Sequence, residues 1–219
     1  MAKKFWAELI GTMVLVIFWC WVAVRTNADT VSTALAFGLV IIALAYAIGQ
    51  VSGCHVNPAV SLWVWMSWKM TSKEFRFYIL AQFIWWILWA ALLGVILGNF
   101  SLLWANGTSL VNWMRWIAVI VEIILTFVFV FAVIWVTSNN ENWCVAWIVI
   151  GWTLTLVHLL WLWFTGTSVN PARSFWPALL QWIGWDWGAF CEVWIFIVAP
   201  LIGATLAALL FKYFNKKKA

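Results

Sequence analysis

The sequence Gly-Cys-His-Val-Asn-Pro-Ala-Val-Ser at 53–61 returns as Gly-Thr-Ser-Val-Asn-Pro-Ala-Arg-Ser at 166–174. Six of the nine positions are identical, and the two stretches are 113 residues apart. Two upstream polar residues recur at nearly the same spacing, Glu8 and Thr12 as Glu122 and Thr126. The chain is therefore predicted to be a single domain made of two repeats, about 1–100 and about 113–219.

The composition predicts an integral membrane protein. Of the 219 residues, 67% are hydrophobic and only 9% are charged, with a mean hydropathy of +1.01. A soluble domain has roughly 25% charged and 45–50% apolar residues. This composition excludes a disordered chain, a disulfide scaffold and a nucleic-acid-binding protein. The net charge of +5 comes mostly from short segments between apolar runs, which points to membrane topology.

Six apolar windows reach the ~20 residues that a spanning helix needs. They are 5–24, 31–50, 75–98, 114–136, 143–164 and 190–213. Two shorter apolar stretches, 57–68 and 170–183, begin at Asn-Pro, which is a helix-start signal. We expect these to be half-helices that enter the membrane without crossing it.

Each repeat thus holds three spans and one half-helix. Because three is odd, the second repeat enters the membrane from the opposite face. The predicted fold is an all-α membrane protein with six transmembrane helices and two re-entrant half-helices in an inverted repeat. Interrupted helices in such repeats are typical of a solute path near the bilayer midplane.

Basic residues predict the orientation. The first span carries Glu8 and lacks a small-residue cleavage site, so it is interpreted as a retained span rather than a signal peptide. The side that holds both termini collects most of the positive charge: Lys3, Lys4, Lys69, Lys73, Arg76, Lys212, Lys216, Lys217 and Lys218. The other side has Arg25 and Arg115. The positive-inside rule then places both termini in the cytoplasm, in a cell (inner or plasma) membrane.

Two asparagines and one arginine suggest what the path would do. Half-helix amino termini carry roughly half a positive charge each, so two of them meeting at the centre repel cations. A water accepting from both Asn57 and Asn170 must turn its hydrogens outward, which interrupts a proton wire. Arg173 stands where the first repeat has Val60. A charged side chain at membrane depth is costly and usually functional, and an unpaired arginine in a narrow pore would reject cations.

The twin Asn-Pro-Ala motifs, at 57–59 and 170–172, resemble those of the aquaporin (major intrinsic protein) family, and the resemblance covers essentially the whole chain. The motif residues are Asn57, Pro58, Ala59, Asn170, Pro171 and Ala172. The resemblance is strongest to the water-selective bacterial subgroup. It implies a passive water channel, a homotetramer in the lipid bilayer, and no cofactor.

The resemblance also implies roles for individual residues. The selectivity constriction would consist of Phe37, His158, Thr167 and Arg173. Taken alone, a histidine on an apolar helix is more often structural. Glycerol channels of the family usually have a smaller residue in place of His158, and they tend to have aspartate in place of Ser174.

Four further residues complete the predicted site. The resemblance implies that the Glu8 and Glu122 carboxylates accept hydrogen bonds from the irregular loops and that His55 braces its own loop. Cys54 occupies the repeat position of Thr167. We expect Cys54 to face the lumen, where a mercurial would react with it and block transport.

Other functions stay open at this point. The pore could carry small neutral solutes such as glycerol, ammonia or carbon dioxide, or the chain could be a non-conducting structural membrane protein. The paired carboxylates Glu8 and Glu122 could suggest acid–base catalysis. No nucleophile, metal cluster or nucleotide loop accompanies them in the sequence, so an enzyme is not predicted, nor is a metal site.

One feature of the composition is anomalous: tryptophan occurs 23 times and glycine only 12 times. Several tryptophans stand where the family commonly has glycine, namely Trp19, Trp21, Trp63, Trp85, Trp86, Trp89 and Trp176. An indole inserted at a tight helix crossing costs ~1–3 kcal/mol. An aromatic belt at the membrane surface does not account for the tryptophans in mid-span. Our hypothesis is that many of these codons are UGA, which the source organism reads as glycine.

Overall fold

A computed structural model describes residues 1–98, 105–108, 114–184 and 187–216, and these contain eight α-helices and no strand. The helices are α1 (Ala2–Arg25), α2 (Thr30–Ser52), α3 (Pro58–Met66), α4 (Ser72–Leu97), α5 (Met114–Ser138), α6 (Trp143–Thr165), α7 (Pro171–Ile183) and α8 (Gly188–Phe214). A short 3₁₀ turn, Asn140–Asn142, joins α5 to α6. Lys217 and Lys218 lie outside the described residues, as do the side chains of Trp85, Trp86 and Trp89.

The predicted spans and half-helices are confirmed. Helices α1, α2, α5, α6 and α8 are long and apolar enough to cross a membrane. Helix α4 has 26 residues, and at 1.5 Å per residue it is about 39 Å long, enough for a sixth crossing. Helices α3 and α7 are too short to cross, with 9 and 13 residues.

The packing of the helices shows the inverted repeat. Helix α1 packs against α2 and α4, just as α5 packs against α6 and α8. Helix α3 packs against α4 and α8, just as α7 packs against α8 and α4. The contacts between α2 and α6 and between α3 and α7 pair each helix with its own counterpart. Each of these contacts is thus matched when the two repeats are exchanged.

Helices α2 and α6 pack closely against each other at two glycines. A Cβ atom on Gly38 would lie 2.5 Å from the Gly151 carbonyl oxygen, and one on Gly151 would lie 2.6 Å from the Gly38 carbonyl oxygen. Neither glycine can therefore gain a side chain without moving a helix. Such small-residue contacts are the usual means of close helix packing in membranes.

Each half-helix begins at an asparagine cap followed by proline at the first helical position. The Asn57 Oδ1 atom accepts from the Ala59 N–H at 2.8 Å. The Asn170 Oδ1 atom accepts from the N–H groups of Ala172 and Arg173, at 3.1 and 3.3 Å. Proline needs no partner for its missing N–H, so the two residues together start each half-helix sharply.

Candidate functional site

The loops that lead into the half-helices have the same strained backbone in both repeats. Positive φ angles occur at Gly53 (+85°), Cys54 (+49°) and Val56 (+43°), and at Gly166 (+72°), Thr167 (+37°) and Val169 (+47°). A β-branched residue rarely adopts this conformation, and each such residue costs on the order of 1–3 kcal/mol. The surrounding contacts must therefore hold these loops in place.

A buried carboxylate contacts the backbone of each loop. Glu8 accepts from the N–H groups of His55 and Val56 at 2.8 and 2.7 Å. In the second repeat, Glu122 accepts from the N–H groups of Ser168 and Val169, at 2.9 and 3.0 Å for the shortest contacts. The same two loop positions are thus bound in both repeats.

Side chains at equivalent positions also link each loop to its half-helix. In the first repeat, His55 Nδ1 and Ser61 Oγ are 3.1 Å apart. In the second repeat, Ser168 Oγ and Ser174 Oγ are 2.5 Å apart. These contacts connect the loop residue two positions before the asparagine with the serine four positions after it.

The two cap asparagines each bind the loop of the other repeat. Asn57 Nδ2 donates to the Val169 carbonyl at 2.8 Å, and Asn170 Nδ2 donates to the Val56 carbonyl at 2.9 Å. An amide nitrogen carries two hydrogens, so each asparagine keeps a second donor beyond this bond. Both residues line a central cavity of about 20 Å³, which is enough for one water molecule.

The structure brings three of the four predicted constriction residues, Phe37, His158 and Arg173, together around this cavity. The ring centroids of Phe37 and His158 are 3.7 Å apart. The Arg173 Cζ atom lies 5.6 Å from the Phe37 ring centroid, and Arg173 Nη2 donates to the Gly166 carbonyl at 3.1 Å. Thr167 follows Gly166 directly and is buried.

Several polar atoms at the constriction have no partner among the described residues. They are His158 Nε2, Thr167 Oγ1, Arg173 Nε and Arg173 Nη1. His158 Nδ1 contacts the Leu154 carbonyl at 2.8 Å and must donate to it, so Nε2 of the neutral ring is an acceptor. The constriction therefore offers both donors and an acceptor to a small polar molecule. Buried polar groups ordinarily have partners, so these need such a molecule.

Two larger spaces border residues of the central site. A cavity of about 170 Å³ is lined by Cys54, His55, Trp63 and Lys69, among others. His55 also lines the central cavity, which makes these two spaces neighbours. An open pocket of about 720 Å³ reaches Gly166, the residue whose carbonyl accepts from Arg173. Arg173 itself lines the central cavity.

A contact on the second loop was not predicted from the sequence. Asn106 Nδ2 donates to the Thr165 carbonyl at 2.9 Å, and its Oδ1 accepts from Ser174 Oγ at 2.7 Å. Nothing in the sequence around Asn106 indicates this contact.

Glu192 was also missed, although a lone acid in the last apolar span was a usable signal. Its carboxylate accepts from the N–H and hydroxyl of Thr108 and from Arg115 Nε, the last at 2.9 Å. These bonds fasten the 105–108 segment to helices α5 and α8.

The fold and this site define a class of protein: multi-pass membrane proteins whose inverted repeats bring two capped half-helices together at the centre. The family model described as "Major intrinsic protein" matches residues 1–211. The chain therefore belongs to the major intrinsic protein family, which confirms the resemblance inferred from the Asn-Pro-Ala motifs.

Two relatives agree with this assignment, and one solved structure shares the fold. The chain is 37% identical over 226 residues to "Aquaporin Z" of Brucella melitensis, covering 97% of each chain. It is 36% identical over 225 residues to "Aquaporin Z" of Rhodopseudomonas palustris, covering 96% of this chain and 92% of the relative. The structure of the aquaglyceroporin from Plasmodium falciparum is similar with a TM-score of 0.82 at 21% identity, covering 96% of this chain and 95% of that one. That likeness concerns the fold.

Proposed function

We propose that this protein is a passive channel that conducts water along an osmotic gradient while excluding protons and ions. The observation that carries the proposal is the set of unpaired polar atoms on His158, Thr167 and Arg173. They are buried in a chain of membrane-spanning helices, where an unsatisfied polar group costs several kcal/mol. Water passing in single file would supply their partners. The two relatives named above, both called Aquaporin Z, support the same function.

The geometry favours water over glycerol. The central cavity of about 20 Å³ accommodates one water molecule and is too small for a three-carbon polyol. Phe37 and His158 place two rings at the constriction beside it. Passage of a larger neutral solute would need these rings to move farther apart than passage of water does.

Exclusion of protons and ions would come from the asparagines and from Arg173. The two half-helix amino termini meet at Asn57 and Asn170, where their partial positive charges repel cations. A water that accepts from both amides directs its hydrogens away from the centre. The Arg173 guanidinium has one bond, to the Gly166 carbonyl, and no ion pair within the described part of the chain. Its charge would therefore act on the lumen.

The remaining features of the proposal concern the setting. We place the protein in a cell membrane with both termini on the cytoplasmic side, because the basic residues concentrate on the side that holds the termini. On that side, Lys4 pairs with Glu74 at 2.9 Å and Lys212 Nζ donates to the Met66 carbonyl at 2.6 Å. A single channel domain of two repeats and a homotetramer complete the proposal, the tetramer resting on the family resemblance.

Stopped-flow osmotic shrinkage of proteoliposomes tests this function, with protein-free liposomes as the baseline and a parallel glycerol gradient. Water flux above the baseline without glycerol uptake, in this chain or in the open variant described below, is the expected result. Glycerol uptake would contradict the selectivity argument and favour a solute channel. Absence of water flux, in this chain and in the open variant described below, would favour a structural membrane protein.

A further inference from the structure

Three aromatic rings stack across the constriction. Trp19, on α1, has its ring centroid 4.6 Å from that of Phe37, with 21° between the planes. Phe37 in turn stacks on His158 at 3.7 Å and 28°. Trp19 is fully buried, with 0% of its surface exposed. Phe37 is therefore held between an indole on one side and an imidazole on the other.

This stack leaves no opening between Phe37 and His158. Rings 3.7 Å apart are in van der Waals contact, and a water molecule about 2.8 Å across cannot pass between them. The two residues that would face each other across the path touch instead. The central cavity lies directly beside these rings. The contact between the two rings therefore closes the path, while the space next to them stays open.

The same indole covers Arg173. The guanidinium carbon lies 4.0 Å from the Trp19 ring centroid, a cation–π geometry. One face of the guanidinium is thus turned to an aromatic ring instead of to the lumen. Trp19 Nε1 has no hydrogen-bond partner among the described residues, so ring stacking, the cation–π contact and packing hold the indole at this position.

We infer that Trp19 acts as a wedge that closes the constriction by pressing Phe37 onto His158 and covering Arg173. The inference rests on the proposed water-channel function. Removing the indole leaves a space behind Phe37, into which this ring can retract. The ring pair would then separate, and the Arg173 donors would face the path. Residue 19 thereby determines whether the channel is open.

The test compares osmotic water permeability of proteoliposomes carrying the unchanged chain, Trp19→Gly and Trp19→Ala. Alanine has a higher helix propensity than glycine, so it keeps the test usable if the glycine variant does not fold. The matched control is Trp152→Gly, the same change at an exposed position of α6. Size-exclusion chromatography and circular dichroism establish that each variant is folded.

We expect water permeability to rise by about tenfold or more in both Trp19 variants, a fall of ~1.4 kcal/mol in the barrier. The Trp152→Gly control should match the unchanged chain. Equal and fast water flux in the unchanged chain and both Trp19 variants would overturn the wedge and leave the proposed function intact. No water flux from folded Trp19 variants would contradict the proposed function itself.

Discussion

Replacing Glu122 with alanine should destabilise the protein through one loop. The Glu122 carboxylate accepts from the backbone N–H groups of Ser168 and Val169 and from the hydroxyl of Thr165. Val169 has a φ of +47°, which a valine adopts only under constraint. The alanine variant removes the carboxylate, so the N–H groups of Ser168 and Val169 in the strained loop lose their acceptor.

The size of the effect follows from the two backbone donors. A buried donor left without a partner costs about 1–3 kcal/mol, so two of them cost about 2–6 kcal/mol. The Thr165 hydroxyl is left out of this sum because it can rotate toward another acceptor. The free energy of unfolding of a typical protein is only about 5–15 kcal/mol. The loss of these two hydrogen bonds would therefore remove a large part of the stability.

Chemical unfolding in detergent micelles, followed by tryptophan fluorescence, measures the free energy of unfolding. The matched control is Glu141→Ala, because Glu141 is exposed in the 3₁₀ turn, and a surface change of this kind stays within about ±0.5 kcal/mol. Glu122→Gln keeps one acceptor oxygen and should fall between the two. The reasoning is refuted if Glu122→Ala is as stable as the Glu141→Ala control.

Three further predictions concern the pore and its tryptophans. Arg173→Val copies Val60 of the first repeat; it removes a repulsion of about 4 kcal/mol for a cation 4 Å away. In the Trp19→Gly background, proton leak measured with a pH-sensitive dye should therefore rise by up to about a thousandfold, at about 1.36 kcal/mol per factor of ten. An unchanged leak would contradict the role of Arg173. With Trp19→Gly present in both chains, mercurials should block water flux in Cys144→Ser but not in Cys54→Ser. Persistent block in the Cys54→Ser chain would exclude Cys54 as the reactive residue. Sequencing the gene should find UGA among the tryptophan codons, whereas UGG at 63, 85, 86, 89 and 176 would refute recoding.

Most of the fold could be predicted because its signals are local and repeated. Apolar windows locate the spans, and Asn-Pro marks the start of each half-helix, as the caps at Asn57 and Asn170 show. The inverted relation follows from counting three spans per repeat. Neither Asn106 nor the left-handed φ angles of Val56 and Val169 could be predicted. Those angles depend on carboxylates more than 40 residues away in the chain.

The tryptophans also show what the sequence alone cannot predict. The sequence marks Trp19, Trp63 and Trp176 as anomalous but does not single out Trp68, and only the structure distinguishes their consequences. Trp63 and Trp176 are 2% and 8% exposed, and each has an indole N–H without a partner among the described residues, a cost of about 1–3 kcal/mol apiece. Trp68 is 90% exposed and has a φ of +59°, a conformation that glycine adopts without penalty. Trp19 closes the constriction.

These costs have different physical origins, yet glycine at the four positions would remove all of them. It would leave no unpaired indole donor at 63 or 176, no strained turn at 68 and no wedge at 19. Independent substitutions in a working channel would be expected to reach tolerant sites, such as the exposed face of α6 at Trp152. The tryptophans at 19, 63, 68 and 176 instead occupy positions where a side chain is costly. A single change in how one codon is read explains that pattern, and it makes the Trp19→Gly protein the form in which water conduction is expected.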